Sequence, residues 1–505
     1  MKSNILFFLL LITGFSLFGQ NNQMVSGNLT FEEALSLTLQ NNHLIKQSHN
    51  KTLQMEQEMK AARALHFPKI SLSANYVFMS DNIELDLNPV RDAITPLYNA
   101  LGHYGKFGNV PNPDPATNGL MPYLPDDVST TVIRGKMLES LNTINSANWI
   151  QMIQQKKFGM VNAGFVFPLY TGGKINAANK AAKIKFEASE IESVQKASEL
   201  SGELVERYFG LILANRAVKV RQEVKAAMQK HFDDAEKLSG QGMIAKIEVL
   251  NAKVYLADAD RELKKSEHQL EITSQALMNT LATDENKDIN PVTELFYIDK
   301  IEPVGFFMNN AKEKSPLLGQ INKQKELTRQ GIKAERSAYF PVVAAGGTLD
   351  IANKDLSPYV PQSMIGVGLQ WSVFEGNARS RKLKAAKLLE LQAEDYYSKA
   401  SSDISTAINK SYEELNMYLE QINELNTAME FTIEYSTARE KAFSEGMGTA
   451  TQVSDADIAL AKTKIDRLQA IYSWDVTLSK LLYYSGMSDK FTDYINHSDV
   501  RVGRY

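Results

Sequence analysis

The chain has 505 residues, of which 44% are hydrophobic and 23% charged, and its 55 Lys and Arg residues nearly balance 59 Asp and Glu residues. This balance, with a formal net charge of −4, excludes a wholly disordered chain and a nucleic-acid binder that relies on bulk positive charge. Because the sequence contains no cysteine, disulfides, thiolate metal sites, a cysteine nucleophile and a lipid anchor on an N-terminal cysteine are also excluded.

The first residues have the pattern of a secretory signal peptide. Lys2 is followed by an apolar run from Ile5 to Phe18, and Gly19 precedes a polar stretch. The run is shorter than the ~20 residues that span a bilayer, which favours cleavage over retention as an anchor. We therefore expect residues 1–19 to be a signal peptide. Since no later segment of that length lacks charges, any membrane crossing would use β-strands.

The mature chain opens with two predicted helices, and four predicted strands occur further along. The Thr30-Phe31-Glu32-Glu33 stretch matches a capping box, and a second helix, about 43–65, must end before Pro68. Four segments alternate with period two, which predicts strands with one apolar and one polar face. They cover about 69–79, 161–170, 342–352 and 365–374. Their length suits a transmembrane barrel, but a soluble half-buried sheet would give the same alternation.

The sequence contains an internal two-fold repeat. Lys60–Pro68 recurs 273 residues later as Lys333–Pro341, with five of nine residues identical. Later blocks recur after 204 residues, among them Gly242-Met243, which returns as Gly446-Met447. The expected organisation is a first repeat over 20–290, a second over 291–488 and a C-terminal tail over 489–505.

The difference between the two spacings places an insertion at about 80–157, inside the first repeat. This segment holds seven of the fifteen prolines. We therefore predict that it is mostly an irregular loop. It joins the first two strands at the end opposite the long helices, so in a membrane barrel it would be extracellular.

Two proline-free stretches, from Gly173 to about Ser239 and from Glu375 to Ser444, are rich in Ala, Glu, Lys and Leu. Each would form a helix ~100 Å long. Return helices from near Ala245 and Ala450 carry apolar residues at the three- and four-residue spacing of a coiled-coil seam. If the four strands cross a membrane, their two unpaired sheet edges require oligomerisation into a closed barrel of about 8, 12 or 16 strands.

Several motifs of this sequence, and the order in which they occur along the chain, resemble those of the TolC-like outer membrane efflux proteins, also called outer membrane factors. The motifs that carry the resemblance are Leu29–Leu35, Phe67-Pro68, Phe340-Pro341, Leu169–Lys174, Gly242-x5-Glu248-Val249-Leu250-Asn251-Ala252 and Gly446-x5-Gln452-Val453-Ser454-Asp455-Ala456. The resemblance implies a mainly α fold with a membrane β-barrel. Three copies, with four transmembrane strands each, would close a 12-stranded barrel in the Gram-negative outer membrane, and long antiparallel helices would form a periplasmic α-barrel.

The same resemblance implies a function and its residues. The protein would be a passive exit duct for small molecules, driven by an inner-membrane transporter through a periplasmic adaptor protein. Acidic residues that ring the periplasmic aperture in the family fall on Gln452 and Asp455, so the ring would carry less charge here; Glu248 is a third candidate. The candidate adaptor contacts at the helix tips are Gly242, Met243, Gly446 and Met447.

Three other functions are compatible with parts of the sequence. A type I protein secretion duct would use the same class of channel, and a structural surface coiled coil would suit the long helices. A periplasmic hydrolase is disfavoured because the seven histidines form no H-E-x-x-H motif and no i,i+4 pair with a nearby acid. We therefore expect no enzyme activity, no cofactor, no metal and no nucleic-acid partner.

Overall fold

The computed structural model describes residues 27–283 and 289–503. The expected signal peptide, residues 1–19, lies outside the described residues. The described chain is mainly helical and divides into two units. We call them the helical unit, which comprises the described residues of Met1–Ala62, Asn176–Glu335 and Ser380–Tyr505, and the sheet unit, Arg63–Ile175 and Arg336–Arg379.

The first part of the chain ends in a pair of long helices. Its elements are β1 (Gly27–Leu29), α1 (Phe31–Asn41), α2 (His43–Arg63), β2 (Lys69–Phe78), β3 (Ile83–Asp86), α3 (Asn88–Tyr104), α4 (Asp126–Ser146), β4 (Ile150–Gln154), β5 (Lys157–Tyr170), α5 (Lys174–Gly240) and α6 (Lys246–Leu281). The predicted capping box at the start of α1 is confirmed, because the Thr30 side chain accepts a hydrogen bond from the Glu33 N–H and Glu33 accepts one from the Thr30 N–H.

The second part of the chain also ends in a pair of long helices. Its elements are β6 (Ile289–Pro291), β7 (Phe296–Ile298), α7 (Val304–Lys314), α8 (Pro316–Ser337), β8 (Val342–Lys354), β9 (Ser363–Gln370), α9 (Ala378–Ser444), α10 (Ala450–Tyr484), α11 (Phe491–Ile495) and β10 (Val500–Val502). The two long helices, α5 and α9, have 67 residues each, close to the lengths that the proline-free stretches predict.

The core of the helical unit is built from large aromatic side chains. Trp474, Tyr208 and Phe296 are almost fully buried. The Tyr208 hydroxyl donates a hydrogen bond to the Leu29 carbonyl at 2.6 Å and accepts one from the Val292 N–H at 3.2 Å. Because β1 pairs with β6 in parallel, this hydroxyl helps to satisfy both short strands where they meet the core.

The sheet unit contains one four-stranded antiparallel sheet in the order β2-β5-β8-β9. The pairing aligns the faces that the sequence alternation predicts. One row contains Leu72, Ala163 and Leu349, and the next row, on the opposite face, contains Ser73, Asn162 and Asp350. Since residues paired directly across strands point to the same face, the sheet has one apolar and one largely polar or small-residue face.

The strand ends differ most from the predicted bounds at two places, by four residues each. β5 begins at Lys157 rather than about 161, because its pairing with β2 continues as far as the Phe78–Lys157 pair. β9 ends at Gln370 rather than 374. The β8–β9 ladder stops after Val342 of β8 pairs with Gln370, because the residue that precedes Val342 is Pro341, which has no N–H to donate.

The prediction that residues 80–157 are mostly an irregular loop is wrong. The segment contains β3, β4 and the helices α3 and α4. Six of its seven prolines stand at the start of α3, at the start of α4 and in the connection between them, where they mark boundaries rather than prevent helices; the seventh, Pro96, lies inside α3. The two helices approach closely at Gly102, where an added Cβ would lie 2.8 Å from the Leu138 side chain.

Candidate functional site

The two long helix pairs end in tips of the same geometry. Gly242 and Gly446 have positive φ angles of 72° and 73°. The next residue donates to a carbonyl five residues back in each case: the Met243 N–H to the Leu238 carbonyl and the Met447 N–H to the Ala442 carbonyl, both at 2.9 Å. This is the Schellman arrangement, in which glycine accommodates the left-handed residue that ends a helix.

The tip methionines are exposed, and the two tips contact each other within one chain. Met243 is 58% and Met447 75% exposed. The Met243 Cε atom lies 3.6 Å from the position that a Cβ on Gly446 would occupy. Behind the tips, a small apolar cluster joins all four long helices; its buried members are Ala235, Ala252, Phe443, Ala450 and Val453.

Gln452 forms part of the cap at the start of α10. Its N–H donates to the Thr449 hydroxyl at 3.2 Å, and its side-chain oxygen accepts from the Thr449 N–H at 3.3 Å. This is a second capping box, and the Thr449-x-x-Gln452 spacing in the sequence was a readable signal for it. The predicted aperture residue therefore stabilises a helix start.

Glu248 caps the same helix from the neighbouring tip. One of its carboxylate oxygens accepts a hydrogen bond from the Ala450 N–H at 3.3 Å. That N–H belongs to the first residue of α10 and has no partner within the helix. A negative charge is also favourable there because it lies at the positive end of the helix dipole. Glu248 thus links the first tip to the second.

Asp455 lies one turn further along α10 and is exposed. One of its carboxylate oxygens accepts a hydrogen bond from the Tyr255 hydroxyl of α6 at 3.2 Å. Burial and the neighbouring Asp455 charge raise the pKa of Tyr255 above its usual range, so the phenol stays protonated and continues to donate. Of the three aperture candidates, Asp455 is the one whose side chain is not used in a helix cap.

Sequence reasoning missed a buried polar cluster above the tips. Asp457 lies two residues beyond Asp455 and faces inward, where it is hydrogen-bonded to the His231 Nε2 atom at 2.8 Å and accepts from the Ser436 hydroxyl at 2.5 Å. The His231 side chain is only 3% exposed. The cluster joins α5, α9 and α10. Its signal in the sequence was a histidine within the apolar seam of α5, between Met228 and Ala235.

Ion pairs reinforce the contacts between the helix pairs. Lys230 of α5 pairs with Glu440 of α9 at 2.5 Å, and Lys464 of α10 pairs with Glu223 of α5 at 2.8 Å. The Glu440 carboxylate raises the pKa of Lys230, so this lysine stays charged at neutral pH. Both pairs are partly exposed, so they add little stability singly but favour one alignment of the helices.

The described part of the chain has no recognisable centre for metal chemistry. Within residues 27–283 and 289–503, no group of three or more His, Asp or Glu side chains is arranged to hold a metal ion. Over the same ranges, no helix combines the length and the apolar character needed to cross a membrane.

The fold is that of outer membrane channels. The structure matches the CmeC outer membrane channel of Campylobacter jejuni with a TM-score of 0.68 and 13% identity, over 92% of this chain and 88% of that one. It matches the outer membrane protein VceC of Vibrio cholerae with a TM-score of 0.65 and 14% identity, over 90% of this chain and 96% of that one.

Sequence comparison defines the family. The family model described as outer membrane efflux protein matches residues 154–283 and 307–486, more than half of the chain, so the protein belongs to this family. The outer membrane protein TolC of Escherichia coli is 21% identical over 289 residues, which cover 53% of this chain and 57% of TolC. The chain thus spans somewhat over half the length of the curated relatives it matches. The family consists of outer membrane channels rather than enzymes, and the protein is accordingly an outer membrane protein.

Proposed function

We propose that the protein is the exit duct of a tripartite efflux system. Three copies associate, and their sheets close a 12-stranded barrel in the outer membrane lipid. The long helices of the three copies form a periplasmic α-barrel. The duct is passive: an inner-membrane transporter supplies the energy, and a periplasmic adaptor protein connects the two.

The observation that carries this proposal is the apolar face of the four-stranded sheet. Leu72, Ile365 and Val367 on that face are 70%, 82% and 68% exposed in the single chain. The sheet also has two open edges, β2 and β9. Lipid would cover such a face favourably, but it cannot satisfy the backbone groups of an open edge, and closure with further copies removes both edges.

The tips support a role as the periplasmic entrance. Exposed Met243 and Met447, held by the Gly242 and Gly446 turns, are the candidate contacts with the adaptor. Methionine suits such a surface because its flexible, polarisable side chain adapts to a partner. Asp455 supplies the aperture charge, one per copy, whereas Glu248 and Gln452 serve mainly to fix the start of α10.

The proposed domain organisation follows the sequence. Residues 1–19 are a signal peptide, 20–290 and 291–488 are two TolC-like repeats, and 489–505 are a tail. The matching order of a helix, two strands of one sheet and a long helix pair in each half supports the repeat. The insertion of about 80–157, which continues the β2 and β5 strands, lies outside the cell.

Electrophoresis tests the assembly. The membrane-extracted protein should migrate as an oligomer without heating and as a monomer after boiling, because a closed barrel resists detergent. A protein that migrates as a monomer under both conditions would contradict the trimer and favour a surface coiled coil.

Conductance tests the entrance. In planar bilayers the channel should prefer cations, and Asp455→Asn should weaken this preference because it removes the charge from the narrow ring. Asp457→Asn is unsuitable as a control, since Asp457 holds His231 and Ser436. A better control is Asp403→Asn on α9, which lies ~60 Å along the helix from its tip. If Asp455→Asn leaves selectivity unchanged, Asp455 does not line the aperture.

A further inference from the structure

The insertion extends the sheet unit beyond the four-stranded sheet. β3 and β4 pair with each other in antiparallel fashion, and they continue β2 and β5. The β3–β4 ladder is flanked by a backbone hydrogen bond at each end: the Met79 N–H donates to the Lys156 carbonyl at the junction with β2 and β5, and the Leu87 N–H donates to the Trp149 carbonyl at the far end, each at 2.8 Å. This two-stranded ladder, which we call the outer hairpin although α3 and α4 connect its strands, is therefore an ordered projection of one edge of the sheet.

The connection between β8 and β9 is attached to this outer hairpin. The Gln154 side chain accepts a hydrogen bond from the Ser357 N–H at 2.7 Å and donates one to the Asp355 carbonyl at 2.8 Å. Gln154 is only 7% exposed, and in the β3–β4 ladder it is paired with Ile83. The connection, residues 355–362, thus lies beside β4 at the level of Ile83.

Among residues 27–283 and 289–503, no strand pairs with the other side of the hairpin. Within these ranges β3 pairs with β4 alone, so one row of its backbone groups is open. Its apolar side chains Ile83 and Leu85 are 51% and 49% exposed. The connection carries a matching apolar pair, Tyr359 and Val360, which are 64% and 46% exposed. An open edge strand with apolar side chains is a surface for pairing with another chain.

The occupant of this edge follows from symmetry, and this step rests on the proposed trimeric channel. When the sheets close, β2 of one copy meets β9 of the next, because these are the two edges of the sheet. Rotation about the symmetry axis of a cyclic trimer places the same loop of every copy at the same height along that axis. The 355–362 connection of the next copy therefore arrives at the open side of β3, at the level where the copy's own connection contacts β4.

We propose that a second copy of this chain covers the β3 edge, with its Tyr359 and Val360 packed against Ile83 and Leu85. Repeated three times, hairpins and connections alternate in a closed extracellular collar. In this collar each 355–362 connection is held within its own copy by Gln154 and clamps the β3 strand of the neighbouring copy. The collar would brace the barrel junctions from outside the membrane.

Disulfide cross-linking tests the collar, and the absence of native cysteine gives a clean background. Leu85→Cys combined with Tyr359→Cys should give covalent dimers and trimers when intact cells are treated with a mild oxidant. Each single variant should give none, because three copies of one position lie far apart around the barrel. Ile83→Cys with Val360→Cys is a second pair, for use if the first does not reach the membrane.

Two control pairs separate the possible outcomes. Met152→Cys with Tyr359→Cys lies on the β4 side and should give no intermolecular ladder. Asn75→Cys with Met364→Cys, on the β2 and β9 edges, should be joined between copies by a flexible bismaleimide if the barrel closes. Joining at these edges without cross-links at either collar pair would overturn the collar while leaving the channel intact. If neither the collar pairs nor the sheet-edge pair can be cross-linked, and no heat-sensitive oligomer forms, the proposed channel would be overturned as well.

Discussion

The helical unit and the sheet unit place their apolar side chains in opposite ways. In the helical unit, Trp474, Tyr208 and Phe209 are buried at 1%, 0% and 0% exposure. In the sheet unit, Leu72 and Ile365 are 70% and 82% exposed. The helical unit therefore contains much of its own stabilising core, whereas the sheet unit presents apolar surface that water does not favour. Two units of one chain are suited to two different surroundings.

The largest expected effect tests the surroundings of the sheet. Leu72→Arg should destabilise the assembled protein by about 2–4 kcal/mol if Leu72 faces lipid near the middle of the bilayer. Ser73→Arg, one residue along and on the opposite face, should be tolerated. The measurement is the yield of heat-sensitive trimer from outer membranes. Equal loss in both variants would show that the faces are assigned wrongly.

A second prediction concerns the buried cluster of the helical unit. Asp457→Ala should cost about 1.5–3 kcal/mol, because it leaves the partners His231 and Ser436 buried without their charged acceptor. Asp455→Ala, on the exposed side of the same helix, should cost much less. Thermal unfolding followed by circular dichroism in detergent compares the two. If both variants unfolded at the same temperature, the cluster would be unimportant for stability.

In the third prediction the substitution stabilises the protein instead of destabilising it. Asp475 is fully buried in the helical unit, and burial raises the pKa of its carboxyl well above the usual range, although the Phe296 N–H opposes this. The folded protein must therefore keep this group protonated, so wild-type stability falls as pH rises above the ordinary pKa of aspartate. Asp475→Asn should be as stable as wild type near pH 3. Its advantage should grow by about 1.4 kcal/mol per pH unit until the raised pKa is reached.

The melting temperature of both proteins, measured from pH 3 to pH 8, tests this prediction. Asp499→Asn, an exposed aspartate near the C-terminus, serves as the matched control and should follow wild type at every pH. A constant difference between Asp475→Asn and wild type over this range would mean that folding does not raise the pKa of this carboxyl.

The smallest expected change in stability concerns the difference in helix capping between the two tips of the helical unit. Thr449 caps α10, whereas the residue at the same place before α6, Ala245, has no side-chain cap. Thr449→Ala should cost about 1 kcal/mol, and Ala245→Ser should gain up to about that amount. Hydrogen exchange of the amides in the first turn of each helix is the readout. Faster exchange at both tips in Thr449→Ala would show that the tips are coupled rather than independent.

Much of the fold could be predicted from residue patterns because its signals are local. Two proline-free stretches gave the 67-residue helices, and period-two alternation gave the faces of the sheet. The insertion was misread because proline marks both loops and helix starts. Only the surrounding contacts, such as the close approach of α3 and α4 at Gly102, distinguish these cases.

The tip residues were also only partly predictable. The Gly-Met pairs were found because a left-handed helix end demands glycine at a fixed place in the sequence. The partners of Glu248 and Asp457 could not be found in this way. Glu248 reaches Ala450, about 200 residues further along the chain, and the Asp457 cluster joins three helices. Spacing along one helix carries no information about which side chain another helix brings beside it.

The sequence by itself determined the helix lengths, the turns at the tips and the two faces of the sheet, because each depends on neighbours within a few residues along the chain. The tertiary structure alone decided which acids cap a helix and which remain exposed at the tips. It also decided that β3 is left as an open edge beside β4. These outcomes depend on the packing of segments distant in sequence, where a hydrogen bond forms only if the fold brings donor and acceptor within about 3 Å.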